Sequence, residues 1–374
     1  MQVKMVHLYQ FVGALIVGLA VAAAAKAQAQ QRELNFANWS EYIAEDTLTN
    51  FEQRTGIKVN YVEFDDIEEL EEMWLKEGRS FDVIVPGSDN IPYYIQRGAI
   101  SKLDPERIRG WKRNDPAFME RLRNFDPANE YAFPFLWGTV GIGYNVEKVR
   151  EAFGGTLPPD SWDLLFDPEN LGKLASCGAT LMRSPEEIFD VGLKYIGKDP
   201  NDFGRGAQRQ VGSLLAKVRL HITDFDSGEY VEELISGKRC IAHGWSGDIL
   251  EAQERAKEAG KSHNIRYIMP EEGFPLWVDV VSMPTNARNV DEAYEFMSYL
   301  MEPEVIAEIS NEMHYANANL EAEPFVAPEL LRNPIVYPDE ATLANTWIPL
   351  ATPRPINDLR QRLWLRLIER EKIF

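Results

Sequence analysis

Three short stretches of this chain set an aromatic ring beside a carboxylate: Trp39-Ser40-Glu41-Tyr42, Trp245-Ser246-Gly247-Asp248 and Trp277-Val278-Asp279. A desolvated carboxylate holds an ammonium group strongly, and a flat ring offers both an apolar wall and a π face that attracts cations. A flexible diamine or triamine, charged at its ends and apolar between them, needs this mixture. Asp279 is the most telling member, because it interrupts the apolar run "LWVDVVSM", where a charge needs a partner or an opening to solvent. The others also have plainer readings. Trp39 suits a strand end in the core, and Asp248 suits the positive end of a helix dipole. Glu186 and Glu187 follow Ser184-Pro185 as the acidic first turn of a helix. The run "EELEE" from Glu68 to Glu72 reads as a solvated helix face.

Other chemistries find little support. "HGWSGD" misses the nucleophile elbow G-x-S-x-G, since Gly247 directly follows Ser246. The histidines, His7, His221, His243, His263 and His314, show no metal spacing, and H-E-x-x-H and C-x-x-C are both absent. "GTVGIGYN" is not a dinucleotide fingerprint, and its glycines read as hinge or turn positions. No catalytic residue, metal site or cofactor is therefore assigned. A secreted hydrolase using scattered carboxylates remains the alternative class, although no pair of them is singled out.

The elements that must position these residues alternate. "RELNFANW" and "IKVNYVEF" read as strands, with "IAEDTLTNFEQRTG" as the helix between them, stopped at Gly56. The acidic helix "DIEELEEMWLKEG" and the short strand "FDVIVPGS" follow, which predicts a parallel sheet with crossover helices. Ligands of such sheets sit beyond the carboxyl ends of the strands, where Trp39 to Tyr42 and Gly87 to Asn90 fall. "YAFPFLWGTVGIGYNVEKV" and "LWVDVVSMPT" are extended apolar stretches suited to carry the chain between two lobes, the first as a candidate hinge. Helices are expected over "SPEEIFDVGLKYIG", from near Gly247, over "NVDEAYEFMSYLMEPEVIAEISNEM" and over "NDLRQRLWLRLIER".

The chain has 374 residues, enough for two lobes. Lys4, the apolar run Phe11 to Ala25 and the ending Ala27-Gln28-Ala29 have the order of a secretory signal, with cleavage expected after Ala29 and Ala27 as second choice. The two cysteines, Cys177 and Cys240, point in an exported chain to one disulfide, with two separate buried thiols as the alternative. Closing that loop of about 63 residues would stabilise the fold by about 4 kcal/mol in the chain-entropy view. The net charge of -20 becomes -22 once Lys4 and Lys26 leave with the signal. Such a field repels nucleic acid and anionic lipid and draws in cations.

The stretches "NWSEYIAEDTLTNFEQRTGIKV", "FPFLWGTVGIGYN", "SPEEIFDVGLKYIGKDPND", "IAHGWSGDILEAQERAKE", "LWVDVVSMPTNARNVDEAYEFMSYLMEPEV" and "YANAN" together resemble the bacterial periplasmic putrescine- and spermidine-binding proteins that serve ABC importers. The resemblance implies an α/β, two-lobed periplasmic binding protein fold of type II, each lobe a mainly parallel sheet flanked by helices. The expected lobes are residues 30–136 with 278–320, and 137–277 with 321–374, meeting at a ligand cleft. Carried over by position, Trp39, Tyr42, Trp245, Trp277 and Tyr315 would box in a methylene chain, with Asp279 as main ammonium partner. Glu187 and Asp248 would hold the far end, Ser40 and Glu41 would complete the near end, and Ser227 would make a peripheral contact. The resemblance also implies a Cys177–Cys240 disulfide, a periplasmic location, a monomer, an inner-membrane ABC permease as partner, and no enzymatic activity. The chain departs from the family at Gly87, where a serine usually contacts ligand; Ser88 is the candidate substitute, and Asp89 adds a carboxylate near the cleft mouth. Ser40 matches putrescine binders, whereas Glu41 and Trp277 match spermidine binders. The same fold serving another ligand, a sugar or ferric iron, is the remaining alternative.

Overall fold

A computed structural model of the protein describes residues 32–368, so the signal segment 1–29 and its cleavage points lie outside the described residues. Among those residues the strands are β1 (Glu33–Trp39), β2 (Lys58–Phe64), β3 (Val83–Ile84), β4 (Ala132–Asn145), β5 (Ala179–Leu181), β6 (Asp224–Phe225), β7 (Ile241–Trp245), β8 (Ile265–Ile268), β9 (Phe274–Ser282), β10 (Ala316–Asn317) and β11 (Thr346–Trp347). They join in the order β2-β1-β3-β9-β4-β7-β5-β6, with β8 and β10 on β4 and β11 on β9.

The alternation of β1 buries Leu34 and Phe36, and the helix Thr47–Thr55 crosses over to β2, ending where Gly56 adopts φ 69° and bonds back to Glu52. β1 then pairs in parallel with both β2 and β3. The acidic helix is α-helical only over Ile67–Glu71, capped by Asp66, and widens to a π turn over Glu72–Lys76. Parallel pairing recurs at the other end, where β5 lies beside β6 and β7. Between these ends the sheet is mixed rather than mainly parallel. β9 runs antiparallel to β3 and β4, and β4 runs antiparallel to β7 and β8. The cause is the chain path: β4 carries the chain out, β9 brings it back, and two such strands side by side oppose each other.

β4 is 14 residues long and buried throughout. Its first half, Phe133 to Trp137, packs into one apolar core with Phe36, Phe51 and Phe296. Its second half, Ile142 and Tyr144, packs into another with Trp162, Phe189 and Trp364. Ala322, Val326, Leu330 and Val336 also pack into the first core. The Asn311 amide donates to the Phe325 carbonyl at 3.1 Å and its oxygen accepts from the Ala327 N–H at 2.7 Å, tying this segment to the helix Pro303–Met313.

Cys177 and Cys240 form a disulfide. The C-terminal helix Arg354–Ile368 inserts Arg360, fully buried, which donates to Asp190 at 2.7 Å and to Gln208 at 2.9 Å. Asp190 lies on the helix Pro185–Tyr195, so this pair fixes the element that presents Glu186 and Glu187. Among the described residues no helix is long and apolar enough to cross a membrane.

Candidate functional site

The site gathers where β1, β7 and β9 end or bend and where two helices begin. Asp248 is in the first turn of the helix Ser246–Glu258. Its two oxygens accept from the Tyr315 hydroxyl at 2.6 Å and the Tyr230 hydroxyl at 2.7 Å. The Tyr315 ring meets Trp277 edge to face, 4.8 Å between centroids, and Tyr42 at 5.9 Å; Tyr42 and Trp277 are 6.4 Å apart. These three rings form a continuous wall. On the facing side, Trp245 donates its indole N–H to Glu187 at 3.0 Å, and its backbone N–H meets the Tyr230 hydroxyl at 3.3 Å.

Asp279 lies on β9 and bridges Gly87 on the segment after β3, with Val280 N–H bonded to the Pro86 carbonyl at 3.0 Å. Gly87 leads into the 3-10 turn Ser88–Asn90. Ser88 is buried, and the Asp89 carboxylate is held by the Asn90 amide at 3.1 Å. The Tyr42 hydroxyl neighbours the Asp279 carboxylate and opposes the rise that burial gives it.

Burial governs the electrostatics. It pushes Asp279 up to about 7 and Asp89 up to about 6, with the Asp89 charge adding to the effect on Asp279. Glu187 is pushed up to about 8 by burial against the Trp245 N–H bond, with Glu186, Asp190 and Asp89 adding repulsion. Asp248 is also raised by burial, opposed by its two tyrosine hydroxyls. Among the described residues no cation is among the largest influences on Asp89, Glu187, Asp248 or Asp279. The Trp277 indole N–H, Glu187 Oε2 and Glu186 Oε1 are sealed from solvent and unpaired within the protein. A site of this kind is made to receive positive charge and hydrogen-bonding groups from outside.

Tyr42, Asp89, Glu187, Trp245, Asp248, Trp277, Asp279 and Tyr315 thus come together, and Ser88 adjoins them. Ser227 acts one step back, its hydroxyl accepting from the Arg183 N–H at 2.9 Å just before the cap of the Glu187 helix. Trp39 packs on Phe64 at 4.6 Å, while Ser40 and Glu41 are exposed at the rim, Glu41 at φ 53° with its N–H bonded to Glu63. The side chains of these three join none of the ring contacts or hydrogen bonds above. His243 is buried against Trp162 and held neutral, its basicity lowered to about 3 by burial.

Sequence reasoning missed Tyr230, the second donor to Asp248, and the close approach of rings at two glycines. Gly138 lies inside β4, where a Cβ would stand 2.5 Å from Trp277 Cζ2 and 2.9 Å from Tyr315 Cδ1. A Cβ on Gly247 would stand 2.5 Å from Tyr315 Cζ. Gly138 thus sits in a strand rather than a turn, and it lets backbone and ring meet. Glycines at alternate positions of an apolar run, such as Gly141 and Gly143, are the signal that points to such close approach. An open depression of about 500 Å³ lined by Glu304, Glu308, Asn311, Glu312 and Phe325 includes none of these residues.

Residues 46–337 match the family model of bacterial extracellular solute-binding proteins. The chain is 42% identical to the putrescine-binding periplasmic protein PotF of Escherichia coli K12, over 91% of this chain and 92% of that one. It is 38% identical to the putrescine-binding periplasmic protein SpuD of Pseudomonas aeruginosa UCBPP-PA14, over 94% and 96%. Among solved structures it resembles the spermidine/putrescine ABC transporter substrate-binding protein PotD of Streptococcus pneumoniae, with a TM-score of 0.76 and 25% identity over 91% of this chain and all of that one.

Proposed function

This chain belongs to the bacterial extracellular solute-binding proteins, and we propose that it captures a polyamine, putrescine or spermidine, and hands it to an ABC importer. The observation that carries this reading is the set of half-buried carboxylates, Glu187, Asp248 and Asp279, gathered around the ring wall, with no cation among the largest influences on them. The putrescine-binding relatives support the same ligand class. Binding is non-covalent, and nothing is turned over.

Asp279 takes one ammonium end. Asp248, fixed by Tyr230 and Tyr315, takes the other together with Glu187, and the rings of Tyr42, Trp245, Trp277 and Tyr315 flank the methylenes. Trp39, Ser40 and Glu41 close over the near end from the rim. The amine binds groups from both cores at once, so it shifts an open-closed equilibrium toward the closed form, with β4 and β9 as the hinge strands. The closed form is the one that a membrane permease recognises. Micromolar affinity, about -8 kcal/mol, suffices for capture and still permits release. The protein works as a monomer in the periplasm after cleavage behind Ala29.

The test is isothermal titration of protein stripped of bound amine by unfolding and refolding. Saturable binding of putrescine or spermidine at micromolar affinity or tighter is expected. Refolded protein that binds neither would overturn the reading.

A further inference from the structure

We infer that Gly87 and Asp89 act as a coupled pair that adds, with Glu186, a third acidic station to the cleft, and that this station selects an amine carrying a third protonated nitrogen, a triamine over a diamine. This rests on the polyamine reading above and extends it to ligand choice.

The argument begins with a missing carbon. A Cβ on Gly87 would stand 2.5 Å from Asp89 Oδ1, 3.4 Å from the Asn90 amide nitrogen and 3.8 Å from Asp279 Oδ1. The Asp89 carboxylate therefore folds back into the space that any other residue at position 87 would fill, and it reaches the neighbourhood of Asp279 only because position 87 is glycine. The backbone does not ask for glycine here: φ -63° and ψ 146° suit any residue. Space for the Asp89 carboxylate is the remaining structural reason.

The Asp89 charge adds to the effects on Asp279, Glu186 and Glu187. Glu186, at the start of the helix Pro185–Tyr195, also feels Glu68 from the acidic helix Ile67–Glu71, so carboxylates from three elements converge on this side. Glu186 Oε1 is sealed from solvent and has no partner within the protein. Arg360 offsets part of the local charge, but it is committed to Asp190 at 2.7 Å. Asp279 and Asp248 already account for the two ends of a diamine. A third acidic station beside Asp279 is surplus for that ligand and is matched by a longer cation with a further nitrogen.

The experiment compares wild type, Gly87→Ala, Asp89→Asn and the double variant by titration with putrescine and with spermidine. The added methyl meets only the movable end of Asp89 closely, so Gly87→Ala should keep the fold and turn the carboxylate away. Each single variant should lose at least tenfold in spermidine affinity and less than threefold in putrescine affinity, and the double variant should lose no more than either single one. Equal losses for both amines, or a Gly87→Ala protein that binds spermidine like wild type, would overturn the pair. Wild-type protein that binds neither amine would overturn the polyamine reading and this inference with it, an outcome distinct from the other two.

Discussion

Amine binding should expel protons, and the effect can be worked from the site. At pH 7 Asp279, raised to about 7, is about half protonated, and Glu187, raised to about 8, is mostly protonated. Asp89, at about 6, is mostly ionised. A primary ammonium titrates near 10, as lysine does, and keeps its charge throughout this range. Placed beside these carboxylates it favours their ionised forms, so binding should release about one proton per ligand. By linkage, affinity should then rise about tenfold per pH unit between pH 6 and 8. The ligand-free protein should behave in the opposite way. A carboxyl whose folded value lies above its unfolded value makes the folded state bind more protons, so its contribution to stability is greatest at low pH and declines as pH rises from about 4 to 8. Calorimetric titration at pH 7 in two buffers of different ionisation enthalpy counts the protons, and melting curves with and without amine test both trends. Buffer-independent heats together with an affinity that does not change from pH 6 to 8 would refute the reasoning, because the carboxylates would then be ionised before the ligand arrives.

Asp279→Asn should weaken putrescine binding at least tenfold, about 1.4 kcal/mol, without loss of fold, and an unchanged isotherm would remove Asp279 as ammonium partner. Gly247→Ala should push the Tyr315 ring off its 2.5 Å approach and break its bond to Asp248; a lost hydrogen bond to a charged group is worth about 1.5–3 kcal/mol, so affinity should fall at least tenfold, and wild-type affinity would show that the ring does not position Asp248. Arg360→Met strands Asp190 in the interior and should lower stability to denaturant by about 3–5 kcal/mol, whereas an unmoved midpoint would mean the pair contributes nothing net. Replacing both cysteines by serine should cost at most about 4 kcal/mol, read as a lower melting temperature with amine affinity preserved.

Local signals carried the elements well. The alternation of "RELNFANW", the stop at Gly56 and the acidic first turn at Glu186 and Glu187 all correspond to observed boundaries. Strand direction did not follow, since period-2 alternation is the same for parallel and antiparallel pairing. That β4 and β9 oppose each other is set by a path of over a hundred residues between them. The site was legible where a residue announces itself by type, as Asp279 does in an apolar strand. It was illegible where a residue matters through what presses on it. Gly138 and Gly247 matter because Trp277 and Tyr315 arrive from elsewhere in the chain, and Tyr230 matters because Asp248 does.

The same physics explains why such a site is tolerable. Half-buried carboxylates without cations destabilise the free protein, and the scaffold holds them with the Arg360–Asp190 pair behind the Glu187 helix, the disulfide at the foot of β7, and tyrosine hydroxyls on Asp248. In the proposed site a cation would favour the ionised forms of Asp279 and Glu187 and touch residues of both cores. Ligand charge and lobe closure would thereby be coupled: a neutral molecule of equal size would fill the ring wall but expel no protons. Selectivity for cations would follow from the scaffold's ability to hold those carboxylates without a cation of its own.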